Sequence, residues 1–242
     1  MVSKLSTNST LSPSYGSHPT IITDVQISLS PTNSDTTCTL FLHYELPPLL
    51  FVDPYELELR GAEYQVLETR GRGKKELERP VHALPVNEGD DDEEVGVEVV
   101  IQRTLPAETT APARVELPIH VRYGEPVASS TSKPYTVQEF SGPTVVLTCS
   151  DELLSCDRTT TLPQLLLDTI PTSFRGSSLC VALQSPDQSL AISAPLGNTV
   201  DLPTVELGTT AVVLACFAWV AWEAWRAGAR LRGGASSKVK SN

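Results

Sequence analysis

Short runs of alternating apolar and polar residues recur along most of the chain, separated by turn-forming residues. Residues 21–29 alternate, as do 38–44, where Leu40 and Leu42 share one face. Residues 64–67, 95–101, 115–123, 144–149 and 179–183 continue the series. Successive side chains on a strand point to opposite faces, so a period of two marks a half-buried strand. Their β-branched and aromatic content agrees with that reading. Many short strands with frequent turns predict a mainly β fold, an antiparallel β-sandwich-like domain. Residues 162–170 (LPQLLLDTI) suit either one short helix or an apolar loop.

The pattern changes near the C-terminus. Residues 207–225 read LGTTAVVLACFAWVAWEAW, with Glu223 the only charge. At ~1.5 Å rise per residue such a helix reaches roughly 30 Å, one hydrocarbon thickness. Only 207–222 is free of charge, so the span is short and suits a thin bilayer such as that of the endoplasmic reticulum. Trp219, Trp222 and Trp225 recur every three residues and place indoles at one interface. Glu223 falls at headgroup depth, where it can pair with Arg226 one turn on. A buried helix of a soluble protein is the alternative, and the clustered tryptophans beside a sudden basic flank argue against it.

Charge reports the topology. The chain of 242 residues carries a formal net charge of −11, which disfavours a nucleic-acid groove. Arg226, Arg230, Arg232, Lys238 and Lys240 are the only charged residues after Glu223, so the sign flips across the apolar segment. The positive-inside rule puts this basic end in the cytosol and the large N-terminal portion on the other side. Lys238 and Lys240, fifth and third from the end, resemble a dilysine retrieval signal, a receptor-read address that works only on a cytosolic tail. The expected layout is a disordered Ser/Thr/Pro-rich segment at 1–19, a β-rich domain at 20–206, a transmembrane helix at 207–225 and a basic tail at 226–242. Residues 70–94, basic at one end and acidic at the other, form a charged loop within the domain. Residues 1–19 hold no apolar h-region, so translocation rests on an upstream segment or on the C-terminal helix itself. Asn8-Ser9-Thr10 is a glycosylation sequon.

Four cysteines, Cys38, Cys149, Cys156 and Cys180, lie in the polar portion, and Cys216 in the apolar segment. Up to two disulfides are possible among the four, with Cys149–Cys156 favoured on proximity alone. No CxxC spacing indicates zinc, the acidic run at 90–94 lacks the turn glycine of a calcium loop, and 71–75 lacks Walker spacing. No cofactor or metal is expected.

The most informative stretch is HYELPPLLFVDPYEL at 43–57. Pro47, Pro48 and Pro54 fix φ and remove amide donors, so no helix interior or central strand runs through it. It is either a core corner between strands or a surface that docks a partner. Tyr44-Glu45-Leu46-Pro47-Pro48, followed by Val52-Asp53-Pro54-Tyr55-Glu56-Leu57, resembles the signature of the PIG-X family and its fungal counterparts. A second match lies at Leu117-Pro118-Ile119-His120-Val121-Arg122-Tyr123. A third is the apolar strand ending in Cys149, with acids after it and then Cys156. The resemblance covers roughly residues 20–225. It implies the small non-catalytic subunit of glycosylphosphatidylinositol (GPI) mannosyltransferase I in the endoplasmic reticulum membrane. That enzyme transfers the first mannose of the GPI core from dolichyl-phosphate mannose, and its catalytic chain, the implied partner, is a separate multi-pass protein. The candidate docking residues are Tyr44, Leu46, Pro47, Pro48, Val52, Asp53, Pro54, Tyr55, Leu57, Pro118, His120 and Tyr123.

Catalysis finds little support in the residues. His18, His43, His82 and His120 stand apart, and none has a nucleophile or carboxylate at a telling spacing. One transmembrane helix cannot enclose a polyisoprenyl phosphate. A lumenal chaperone or cargo receptor is the runner-up, although Pro186, Pro195 and Pro203 exclude the coiled coil such proteins place before the membrane. An autonomous lumenal enzyme comes third.

Overall fold

A computed structural model describes residues 2–29, 38–72, 74, 77, 79–84, 96–105, 112–128, 134–149, 162–171, 174, 179–182 and 189–238. The chain divides into two compact units, Met1–Glu125 with Lys133–Gly197, and Pro126–Ser132 with Asn198–Asn242. The first is built from antiparallel sheets, the second around one long helix.

The first unit centres on β3 (Cys38–Leu46). Around it runs a five-stranded sheet in the order β11 (Leu179–Ala182), β10 (Thr144–Cys149), β3, β6 (Val97–Leu105), β5 (Gln65–Gly71). Alternation along β3 sends Leu40, Leu42, Tyr44 and Leu46 to one face and Phe41 and His43 to the other. The first set meets Val99 and Ile101 of β6 and Val145 and Leu147 of β10 in the main core. Facing them is a three-stranded sheet, β1 (Val2–Ser12), β2 (Thr20–Leu29) and β7 (Ala113–Pro118), which contributes Ile21, Val25, Val115 and Leu117. A strand pair, β9 (Tyr135–Phe140) with β12 (Leu190–Pro195), adds Phe140 and Ile192. On the opposite face Phe41, Val100 and Val146 are covered by Leu165 and Leu166 of α2 (Gln164–Thr169) and by Ile170. Apolar cover on both faces explains why 38–42 reads as a nearly continuous apolar run. Residues 162–170 therefore settle as a helix, because their leucines cap a second core. Each large apolar side chain buried here contributes about 1.5–3 kcal/mol.

Three expectations change. Where a disordered segment was expected at 1–19, Val2–Ser12 forms strand β1. Its composition is polar, but its period is two. Leu5 and Leu11 pack on the core, and between them Ser9 is buried opposite Thr23. Ser9 Oγ lies 3.1 Å from Thr23 Oγ1, which lies 3.2 Å from the Tyr44 hydroxyl, so the buried hydroxyls satisfy one another. Asn8 points the other way and is exposed.

The favoured cysteine pair is also wrong. Cys149 bonds to Cys38, its direct register partner across β3 and β10, at a sequence separation of 111. Antiparallel pairing, not proximity along the chain, decides it. Cys180 is disulfide-bonded as well. Cys156 lies outside the described residues.

The third change concerns lengths. Strand β5 extends to Gly71, and Val81–Ala83 forms a 3-10 turn, so part of 70–94 is ordered structure; residues 85–95 lie outside the described residues. The apolar helix, α3, runs over Leu202–Lys238, past the expected 207–225 at both ends. A 3-10 turn (Thr199–Asp201) precedes it, and the Asn198 side chain accepts from the Val200 N–H at 3.2 Å. Basic residues expected in a tail thus continue the helix as far as Lys238, and Lys240 lies outside the described residues.

Candidate partner-docking site

The first signature segment folds as strand, turn, strand and short helix. β3 carries Tyr44 and Leu46 into the core. Pro47 and Pro48 then turn the chain, with the Leu50 N–H donating to the Pro47 carbonyl at 2.8 Å. Gly96 makes the turn possible. Any Cβ there would come within 2.6 Å of Pro48 Cα, so backbone occupies the space a side chain would need. Strand β4 (Leu50–Phe51) follows. Asp53 then caps α1 (Pro54–Leu59), its carboxylate accepting from the Tyr55 N–H at 2.9 Å. Pro54 at the first helical position loses nothing by lacking an N–H, and Leu57 returns to the core.

The second signature segment locks onto the first. Strand β8 (His120–Val121) pairs with β4, placing Leu50 opposite Val121 and Phe51 opposite His120. The His120 ring stacks on Phe51 with centroids 5.1 Å apart, and its Nε2 lies 2.7 Å from Glu56 Oε2. On the other side His120 Nδ1 is 2.8 Å from His18 Nδ1. The Arg122 backbone N–H donates to the Leu49 carbonyl at 2.8 Å. Its guanidinium lies 4.4 Å from the Phe51 ring centroid. Nη1 donates to the carbonyls of Leu77 and Arg79 at 3.2 and 3.1 Å. A buried arginine needs such partners, because an unpaired buried charge is strongly destabilising.

This arrangement decides which expected docking residues are free to touch anything. Tyr44, Leu46, Pro47, Val52, Leu57 and Pro118 are interior, Pro48 and Asp53 half-buried, and His120 is occupied by Glu56 and His18. Pro54, Tyr55 and Tyr123 face solvent, with Tyr55 74 % and Tyr123 79 % exposed. Leu59, which sequence reasoning passed over, is 85 % exposed on the same helix as Tyr55. For the remaining residues the core-corner reading is the one the geometry supports. A cleft of about 490 Å³ runs beside α1, lined by Pro54, Leu57, Glu58, Gly61, Tyr64 and Val66.

Two tyrosines near this corner are perturbed. Burial raises the Tyr44 hydroxyl far above its usual range, which the Thr23 hydrogen bond only partly offsets. Burial likewise pushes Tyr64 up to about 12, against the opposing pull of Arg60. Both stay neutral at any physiological pH. Among the described residues no serine, threonine or cysteine bonds to His18 or His120 of the Glu56–His120–His18 chain. Its hydrogen bonds tie three segments together. Sequence reading also missed Arg122 and Glu56, although a charge inside the apolar run 117–123 was a usable signal.

The second unit presents a different surface. The stretch Thr199–Leu231 is long and apolar enough to cross a membrane, and none of its span is buried within the chain. Trp222 and Trp225 meet edge to face with centroids 6.3 Å apart, and Arg226 Nη1 donates to Glu223 Oε1 at 3.2 Å.

Among the described residues a sheet-built unit is followed by one helix long and apolar enough to cross a membrane, which fits a single-pass membrane protein. The PIG-X / PBN1 family profile matches residues 14–225, both units together, and the chain belongs to that family. The family is a non-catalytic accessory family of GPI-anchor biosynthesis. No curated protein matches the chain.

Proposed function

We propose that this protein is the stabilising, non-catalytic subunit of GPI mannosyltransferase I. It is required for transfer of the first mannose from dolichyl-phosphate mannose to the GPI precursor. The observation that carries the reading is the family match, which spans the β unit and the apolar helix as one piece. The catalytic work falls to a multi-pass partner able to surround a lipid-borne sugar. In this reading the protein sits in the endoplasmic reticulum membrane with its β unit lumenal, Asn8 glycosylated, and the basic end of α3 cytosolic. The Lys238 and Lys240 pair then serves retrieval. Positive charge beyond the tryptophan belt supports that orientation. Tyr55, Leu59 and Tyr123 form the lumenal docking surface, since large apolar side chains left in water favour a partner. Depletion of this protein is expected to lower the catalytic chain severalfold and then GPI-anchored proteins at the cell surface. Unchanged abundance of both would refute the proposal.

A further inference from the structure

We infer that His43, Glu45 and Glu98 form a binding site for a divalent transition-metal cation of the zinc type, on the outer face of the five-stranded sheet. Strand register assembles it. Glu45 and Glu98 stand directly opposite each other on β3 and β6, and His43 lies two residues back on the same face of β3. His43 Nε2 is 3.0 Å from Glu98 Oε1, and Nδ1 is 3.6 Å from Glu45 Oε1. The histidine is 1 % exposed, and its Nδ1 has no hydrogen-bond partner.

That geometry calls for a positive charge, supplied either by a second proton on His43 or by a bound cation. With Nε2–H donated to Glu98, the Nδ1 lone pair faces the Glu45 carboxylate across the 3.6 Å gap. Like charges directly opposite on neighbouring strands also repel. Arg70 is the register partner of Glu98 on β5, yet among the described residues the two form no ion pair. A proton shared between Nδ1 and Glu45 would draw the two atoms to about 2.7–3.2 Å. Two donors each about 2.1 Å from a tetrahedral ion stand about 3.4 Å apart, which matches the observed spacing better.

The surroundings suit a metal ligand. A metal-binding histidine donates its other ring N–H to a carboxylate or carbonyl, and Glu98 provides that acceptor. The three groups lie within 4.8 Å of one another, with His43 Nδ1 and Glu45 facing the ion and Glu98 holding the ring from its Nε2 side. One imidazole nitrogen with carboxylate oxygens favours zinc or manganese over the oxygen-only preference of calcium and magnesium. Glu45, whose side chain is 54 % exposed, lines a recess of about 370 Å³ with Gln138, Glu139 and Ser141. Water from that side completes the coordination.

The test is calorimetric titration of zinc sulfate into the detergent-solubilised full chain after chelator treatment. One saturable site of micromolar affinity is expected, accompanied by a rise in Tm. Glu45→Gln and Glu98→Gln each weaken it about tenfold or more, with the fold intact by circular dichroism. His120→Gln, which removes the His18–His120 pair as a competing ligand set, leaves the affinity unchanged. Absence of saturable binding overturns the proposal, as the proton-sharing arrangement requires. So does a site that survives Glu45→Gln or is lost with His120→Gln.

Discussion

The two signature segments and the C-terminal helix mark this chain equally well, yet they spend their apolar side chains in opposite ways. In the segments at 43–57 and 117–123, most large side chains are turned inward, and the two stretches hold each other through β4, β8, Arg122 and Glu56–His120. In α3 the apolar surface faces outward along the whole span. A recognisable motif and a contact surface are therefore different things here. The motif preserves a corner of the fold, and in the proposed complex contact with neighbours falls to the few side chains the corner leaves outside and to the helix.

That contrast can be broken first at the covalent tie. Cys38→Ser opens a loop of 111 residues, and its loss should cost about 4–5 kcal/mol. Urea unfolding of the solubilised chain measures it; a Cys149–Cys156 bond would instead leave Cys38→Ser nearly silent. Next comes the buried guanidinium. Arg122→Met strands the Leu77 and Arg79 carbonyls and removes the cation over Phe51, for a loss of about 2–4 kcal/mol. The same melt, read by tryptophan-independent circular dichroism, reports it.

Alkaline titration sharpens the picture of the corner. Tyr64 is raised to about 12 in the fold, so the unfolded chain loses this proton first, near pH 10. Stability from this group is whole below pH 10 and falls as pH climbs through 12, by roughly 2 kcal/mol in total. Tyr64→Phe should flatten that part of the curve. Asp53→Ala removes only the cap of a six-residue helix and should cost about 1 kcal/mol. Smallest of all in stability are Tyr55→Asp and Tyr123→Asp, within about 0.5 kcal/mol, because both side chains are in water. Their effect is expected in co-purification of the catalytic chain. Loss of folding in place of loss of partner would return these residues to the structural side of the comparison.

Much of this was legible in the chain itself. The strands β3, β6 and β10 and the apolar helix follow directly from period two and from an unbroken apolar run, whereas α1 was not read, because the prolines at 43–57 pointed away from a helix. Strand β1 was hidden because Thr7 and Ser9 occupy inward positions usually held by apolar residues; Thr23 and Tyr44 satisfy the Ser9 hydroxyl, while Thr7 Oγ1 is buried without a hydrogen-bond partner. The Cys38–Cys149 bond and the Glu56–His120 contact were hidden for another reason. Both depend on which strands become neighbours, and no local spacing encodes that. The choice between corner and surface at 43–57 needed the pairing of β4 with β8.

The most direct measurement is affinity purification of the full chain from mild detergent, with every co-migrating polypeptide quantified. A non-catalytic stabiliser should bring down one multi-pass chain in one-to-one amount and transfer no mannose when stripped of it. Mannose transfer by the stripped protein, or a spread of many sparse clients in place of one partner, would contradict the account.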